Sequence, residues 1–380
     1  MKKLYISFLS VFLLQMAVGQ QINECSEYTY SQTIESVINP LDSIVEEHLL
    51  RMSVNEKIGQ LFIGRIPGAH AINNATRALI TDYHIGGFIL FAANVSSIEQ
   101  VQRLTASLQA ASPVPLFIAI DEEGGRVSRI RTLFNPRIGT AYSIARSGNS
   151  QDVYDSAKTI AERLQMLGVN MNFAPVADIW SNPANTVIGD RAYGREPEIT
   201  GEMTAAAVRG FRDTGIISVV KHFPGHGDTN EDSHYMQAVY SHNVERFDSV
   251  ESYPFRRGIK AGADGVMIGH ISTPQMHPET PALPAVFSTY WIQDILRNGW
   301  RYDGLIITDA LDMGGLTRYY SGEEIVINSF LAGVDILLMP ANIGNAVDAI
   351  RKAYDEGIIS DERLNESVRR ILRVKFNKFQ

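Results

Sequence analysis

Pro115–Asp121 reads PLFIAID, and its apolar run Leu-Phe-Ile-Ala-Ile neither alternates with polar residues nor breaks before the carboxylate that ends it. A strand exposed on one face alternates; a continuous run indicates burial on both faces, as in a parallel sheet covered by helices. Seven further stretches share the pattern. They are Gly59–Ile66 (GQLFIGRI), Gly87–Phe91 (GFILF), Val169–Pro175 (VNMNFAP), Ile217–His222 (ISVVKH), Gly265–His270 (GVMIGH), Gly304–Asp309 (GLIITD) and Asp335–Met339 (DILLM). Amphipathic helical stretches lie between them, among them Ser97–Ala111, Asp152–Leu167, Thr200–Thr214 and Glu323–Leu331. Strands that alternate with helices in this way predict a (β/α)8 TIM barrel, α/β in class. The alternative, an open doubly wound sheet, normally shows a glycine-rich phosphate fingerprint after its first strand, and Gly64-Arg65-Ile66-Pro67-Gly68 does not match one. One barrel domain is expected over residues 41–380, with Asp361–Lys375 as a closing helix.

The chain has 380 residues, 45% of them hydrophobic, and a formal net charge of −8. This is enough apolar content for a large core. No run of Lys and Arg stands out, which argues against nucleic acid as a partner. Lys2 and Lys3 precede the uncharged, mostly apolar stretch Leu4–Val18, and Ala17-Val18-Gly19 offers small residues for cleavage. Residues 1–19 therefore read as a signal peptide and residues 20–40, polar and Ser-rich, as a linker. The apolar run is shorter than the roughly 20 residues of a spanning helix. The expectation is a periplasmic or secreted protein, not inserted in a membrane after cleavage. Cys25 is the single cysteine, so no intrachain disulfide framework is available.

In a barrel, chemistry collects where strands end at the C-terminal face. Asp121, Asp178, Lys221, His222, His270 and Asp309 stand at those ends. The densest stretch is Lys221–His234, KHFPGHGDTNEDSH, which holds three His, two Asp, one Glu and one Lys in fourteen residues. Pro224, Gly225 and Gly227 oppose a regular helix in its first half, so it reads as a loop after the fifth strand. It could be a solvated polar loop. It could also hold a metal through His222, His226, Asp228 or His234, although the spacing matches no standard signature.

The same stretch resembles the hallmark of glycoside hydrolase family 3, in its β-N-acetylglucosaminidase branch. The resemblance extends to IDEEGGRVSR (Ile120–Arg129), NFAPVADI (Asn172–Ile179), VIGDRAYG (Val187–Gly194) and DGLIITDALDM (Asp303–Met313). It implies Asp309 as nucleophile, His234 with Asp232 as the acid/base pair, and Asp121, Arg129, Arg191, Lys221 and His222 as sugar-binding residues. It implies no metal and no organic cofactor. Ala310 departs from the pattern, because an acidic residue usually follows the nucleophile.

These residue types suit the chemistry. Retaining hydrolysis needs a carboxylate to attack the anomeric carbon and a proton donor for the leaving oxygen. Asp309 closes an apolar strand and would be held rigidly. A His beside a carboxylate is favoured as imidazolium and titrates near neutrality. Asp232 and His234 are two residues apart, within reach of one turn. Asp121 can accept from two hydroxyls, whereas Arg and Lys only donate. His226 and Asp228 are expected to shape the loop, and Asp178 and His270 to give support at most. The expected activity is removal of terminal β-linked N-acetylglucosamine from cell-wall fragments (muropeptides) or chitin-like oligosaccharides. Rival expectations are a β-glucosidase, a phosphorylase, a metal-dependent barrel hydrolase or a non-catalytic sugar-binding protein.

Overall fold

The computed structural model describes residues 39–379. The expected signal peptide, nearly all of the expected linker and Cys25 lie outside the described residues. Contacts divide the chain after His48. Of the first unit, residues 39–48 are described and form the start of a helix, Pro40–Arg51. The helix thus begins at the residue where the linker was expected to end.

The second unit, residues 49–380, is built on eight strands. These are β1 (Phe62–Arg65), β2 (Gly87–Leu90), β3 (Phe117–Ile120), β4 (Met171–Asn172), β5 (Ile217–Phe223), β6 (Gly265–Ile268), β7 (Leu305–Thr308) and β8 (Leu337–Leu338). They pair in parallel in the order β8-β1-β2-β3-β4-β5-β6-β7. A parallel bridge between Ile307 and Ile336 joins β7 to β8 and completes the ring. The sequence is therefore a (β/α)8 barrel. Every residue of β2, β3, β5, β6 and β7 is buried, as continuous apolar runs require.

The four expected helices appear as Ile98–Ala111, Ser150–Met166, Pro197–Thr214 and Gly322–Ala332, and the closing helix runs Asp361–Lys378. Helices Asn74–Thr81, Ser252–Ala261 and Ile343–Asp355 belong to the remaining strand–helix units that the (β/α)8 expectation required. The first expected strand is corrected at its start: Gly59 and Gln60 end a short helix, Val54–Gln60. Ser53 and Glu56 form a reciprocal capping box there, which satisfies two orphan backbone donors and fixes the helix start.

The fourth expected strand shrinks to Met171–Asn172 in the ladder, but its extended pairing continues. Phe173 N donates to Ile120 O at 2.8 Å, and Val176 bridges to Lys221. Asn170 and Asn172 accept from the Ile118 and Glu122 amides at 2.8 and 2.9 Å, so side-chain amides, that of Asn172 fully buried, stitch β4 to β3.

Because all eight strands are parallel, the segments after β3, β4, β5, β6 and β7 emerge at one end. There a short parallel pair, Ala238–Val239 with Ile271–Ser272, ties the return of the β5 loop to the segment after β6.

Candidate active site

β5 supplies two adjacent side chains to one cluster. In a regular strand, neighbours face opposite ways. Here the pairing of β5 with β6 shifts between Val220 and Phe223, and both Lys221 and His222 reach the polar end of the barrel. Lys221 Nζ donates to Asp121 Oδ1 at 2.8 Å and pairs with Glu123 Oε1 at 2.7 Å. Arg191 grips Glu123 through Nε and Nη2, both at 2.8 Å, and Nη2 lies 3.4 Å from His222 Nε2. Arg129 Nη2 reaches Asp121 Oδ2 at 3.4 Å. Asp121, Arg129, Arg191, Lys221 and His222 are therefore brought together, with Glu123 between the two deepest cations.

Glu123 was not singled out from sequence. Its nearest sequence signal is its place two residues beyond Asp121, but its partners lie 68 and 98 positions away in the chain. Burial pushes the Glu123 carboxyl up, yet Arg191 and Lys221 outweigh that and hold it far below the usual range. Conversely, burial lowers Lys221 and Arg191, and the surrounding carboxylates more than restore them. All three stay charged near neutrality.

Asp178, after β4, is buried and acts as a hub. Its Oδ2 accepts from His222 Nδ1 at 2.7 Å, and its Oδ1 accepts the His226 amide at 2.6 Å. His222 Nδ1–H toward Asp178 leaves Nε2 facing Arg191 as an acceptor. Burial raises the Asp178 carboxyl, but His222 and His226 outweigh it and leave it lowered.

Asp309 follows β7. Its amide donates to Ile268 O at 2.9 Å, and its Oδ1 accepts the Ala310 amide at 2.7 Å. Ala310 O in turn accepts from His270 Nε2 at 2.8 Å. Backbone contacts and His270 thus support the position where an acidic neighbour was expected from the resemblance. Burial raises the Asp309 carboxyl, but His222, His270, the Ala310 amide and Lys221 together hold it below its ordinary value. It is a carboxylate at neutral pH, and among the described residues the Ala310 amide is the one hydrogen-bond donor to its side chain, on Oδ1.

The β5 loop carries the second chemical group. Asp232 Oδ1 accepts from both the amide and Nδ1 of His234, at 2.9 and 2.7 Å. The His234 side chain is 60% exposed. Asp232 is lowered: burial opposes this, and the two bonds from His234 exceed it. His226 and Asp228 bond within and beside the loop. His226 bonds Ser233 Oγ at 2.9 Å and Thr229 Oγ1 at 2.7 Å, while Asp228 accepts from Ser181 and pairs with His242. The four candidate metal ligands thus have separate partners, and among the described residues no three His, Cys, Asp or Glu converge in a metal-binding arrangement.

The two chemical groups emerge at the same end of the barrel, one after β5 and one after β7. Their segments touch: Gly314 N donates to His234 O at 2.9 Å and Gly315 N to Ser233 O at 3.1 Å. The arrangement offers an ionised carboxylate at a strand end, an exposed imidazole backed by its own carboxylate, and a partly buried set of donors and acceptors for hydroxyls.

Residues 53–374 match the family model described as the glycosyl hydrolase family 3 N-terminal domain. Beta-hexosaminidase A of Pseudoalteromonas piscicida is 37% identical over 326 residues, covering 78% of this chain and 54% of that protein. A beta-hexosaminidase of Nitrosomonas eutropha is 37% identical over 260 residues, covering 67% of this chain and 73% of that one. Among solved structures, a glycoside hydrolase family 3 β-N-acetylglucosaminidase from Paenibacillus superposes with a TM-score of 0.83 at 39% identity, covering 86% of this chain and 63% of that chain. The chain therefore spans about half the length of the first relative and under two thirds of the Paenibacillus enzyme. The match over most of its length shows that the chain belongs to glycoside hydrolase family 3.

Proposed function

We propose that this protein is a retaining, exo-acting β-N-acetylglucosaminidase. The observation that carries the reading is the shared barrel end of Asp309 and the Asp232–His234 pair, with their segments hydrogen-bonded to each other. In the first step, Asp309 attacks the anomeric carbon while an imidazolium His234 gives its proton to the leaving oxygen. The bond to the aglycone breaks as the bond to Asp309 Oδ forms, giving a covalent glycosyl-enzyme. In the second step, neutral His234 takes a proton from water, whose oxygen displaces Asp309. Asp232 holds the ring through Nδ1, which leaves Nε2 to exchange the proton. Acid/base assistance of this kind contributes on the order of 10²- to 10⁴-fold.

Asp121, Lys221, His222, Arg191 and Arg129 bind the terminal sugar. Asp121 accepts from hydroxyls, and the three cations donate. Glu123 and Asp178 hold Lys221, Arg191 and His222 in place. The substrate class proposed is the β-linked N-acetylglucosamine end of cell-wall fragments or chitin-like oligosaccharides. The N-terminal sequence supports an export reading, and N-terminal sequencing of the mature protein, from outside the cytoplasm, tests it.

The activity test compares aryl β-glycosides with and without an N-acetyl group, each with chelator or with added phosphate. Turnover of the N-acetylglucosaminide, indifferent to both additions, is the expected result. A preference for the glucoside, a rate that needs phosphate, or loss on chelation would point respectively to each rival chemistry.

A further inference from the structure

We propose that Gly314 and Gly315 are positioning residues: together they form a seat that fixes the acid/base segment over the nucleophile. This rests on the reading of His234 as acid/base.

Among the described residues the His234 ring is tied only locally, to Asp232 two residues before it, and it is largely exposed. Its place relative to Asp309 is therefore set by the backbone of residues 233–235. That backbone is docked on the single helical turn Gly314–Thr317. The first amides of a helix have no partner within it. Here Gly314 N and Gly315 N are used on the carbonyls of His234 and Ser233, at 2.9 and 3.1 Å.

The approach is close enough to exclude a side chain. A Cβ on Gly314 would stand 2.8 Å from Tyr235 O and 2.9 Å from His234 O; one on Gly315 would stand 2.7 Å from Ser233 O. Neither glycine has a left-handed backbone, so the need for glycine here is space, not φ. The seat is itself fixed to the nucleophile segment: Met313 N bonds Ala310 O at 3.2 Å, and Leu311 N bonds Leu338 O at 2.9 Å. On the loop side, Ser233 Oγ is held by His226 Nε2 at 2.9 Å. A methyl group at position 314 would thus lift the acid/base segment by a few tenths of an ångström and leave Asp309 where it is.

A displaced proton donor has a kinetic signature that general destabilisation lacks. It slows cleavage of poor leaving groups and spares activated ones. The experiment measures kcat/KM of Gly314→Ala on an N-acetylglucosamine disaccharide and on a dinitrophenyl N-acetylglucosaminide, beside His234→Ala. Gly322→Ala, whose Cβ would meet nothing within 4 Å, is the control. The expected result is a loss of about tenfold or more on the disaccharide, less than about threefold on the activated substrate, and no change for Gly322→Ala.

Equal losses on both substrates, or none on either, overturn the seat when His234→Ala does show the dependence. A His234→Ala variant without leaving-group dependence overturns the acid/base reading instead. If Gly314→Ala fails to fold, amide exchange in the wild-type protein decides. Segments 232–236 and 314–317 should show matched protection, and free exchange of the first beside a protected second would overturn the proposal.

Discussion

At the level of single residues, the cluster is a set of mutual electrostatic debts among Asp121, Glu123, Lys221, Arg191 and His222. Glu123 is the member that joins both deep cations, pairing with Arg191 and with Lys221. Removing one partner of a buried pair leaves an uncompensated charge. Glu123→Ala is therefore expected to lower stability by about 3 kcal/mol and to weaken binding of an N-acetylglucosamine-type inhibitor; denaturant unfolding and calorimetry check both. Asp309→Asn keeps the shape but removes the charge of the proposed nucleophile. It should abolish turnover of an aryl N-acetylglucosaminide while inhibitor affinity stays within a few-fold, and retained turnover would remove Asp309 from its role. Asp309, Lys221 and His222 were legible in sequence because each closes an apolar strand run. Glu123 was not, because its importance lies in contacts with residues far along the chain, and those pairings leave no local pattern.

At the level of elements, the β5 loop is shaped by close backbone approaches. A Cβ on Gly227 would stand 1.7 Å from Ile179 O, so the loop after β5 is pressed against the segment after β4 at that point. Gly227→Ala should displace the loop and with it His234. The expected outcome is a fall in kcat/KM of about tenfold or more with a lowered melting temperature, checked by kinetics and calorimetry on the same sample. An unchanged kcat/KM would mean that the loop position does not matter. Element boundaries were only partly legible. The capping box at Ser53 and Glu56 stood in the sequence as Ser-x-x-Glu and marks a helix start, yet the apolar run that follows drew the strand boundary back to Gly59. β4 is short in the ladder for a different reason: the side chains of Asn170 and Asn172 take on bonds that backbone rungs would otherwise make, and hydrophobic pattern carries no trace of that.

At the level of the whole molecule, eight continuous apolar runs sufficed to predict a barrel, since burial on both faces forces a parallel sheet covered by helices. Ring closure through Ile307 and Ile336 and the register of each pair depend on packing and were not readable. The finished barrel carries a pH liability of its own. Burial pushes His226 down to about 4, helped by His222 and opposed by Asp178, and burial also lowers His270. A histidine kept neutral in the fold but free to protonate when unfolded makes the unfolded state bind more protons. Stability is then full above the ordinary histidine range and falls as pH drops from about 6.5 toward 4. For His226 alone the loss is about 3 kcal/mol. Melting temperature should decline over that window, and His226→Asn should flatten the decline; a flat profile in the wild type would contradict it. On the proposed mechanism, the chemistry of the molecule as a whole reduces to a carboxylate after β7 working with an imidazole after β5. Disabling the imidazole should stall the reaction at its midpoint. The most direct measurement is mass spectrometry of His234→Ala after incubation with a dinitrophenyl N-acetylglucosaminide. One N-acetylhexosamine unit attached to the peptide that contains Asp309 is the predicted result. A burst of product with no adduct, or an adduct on another residue, would contradict it.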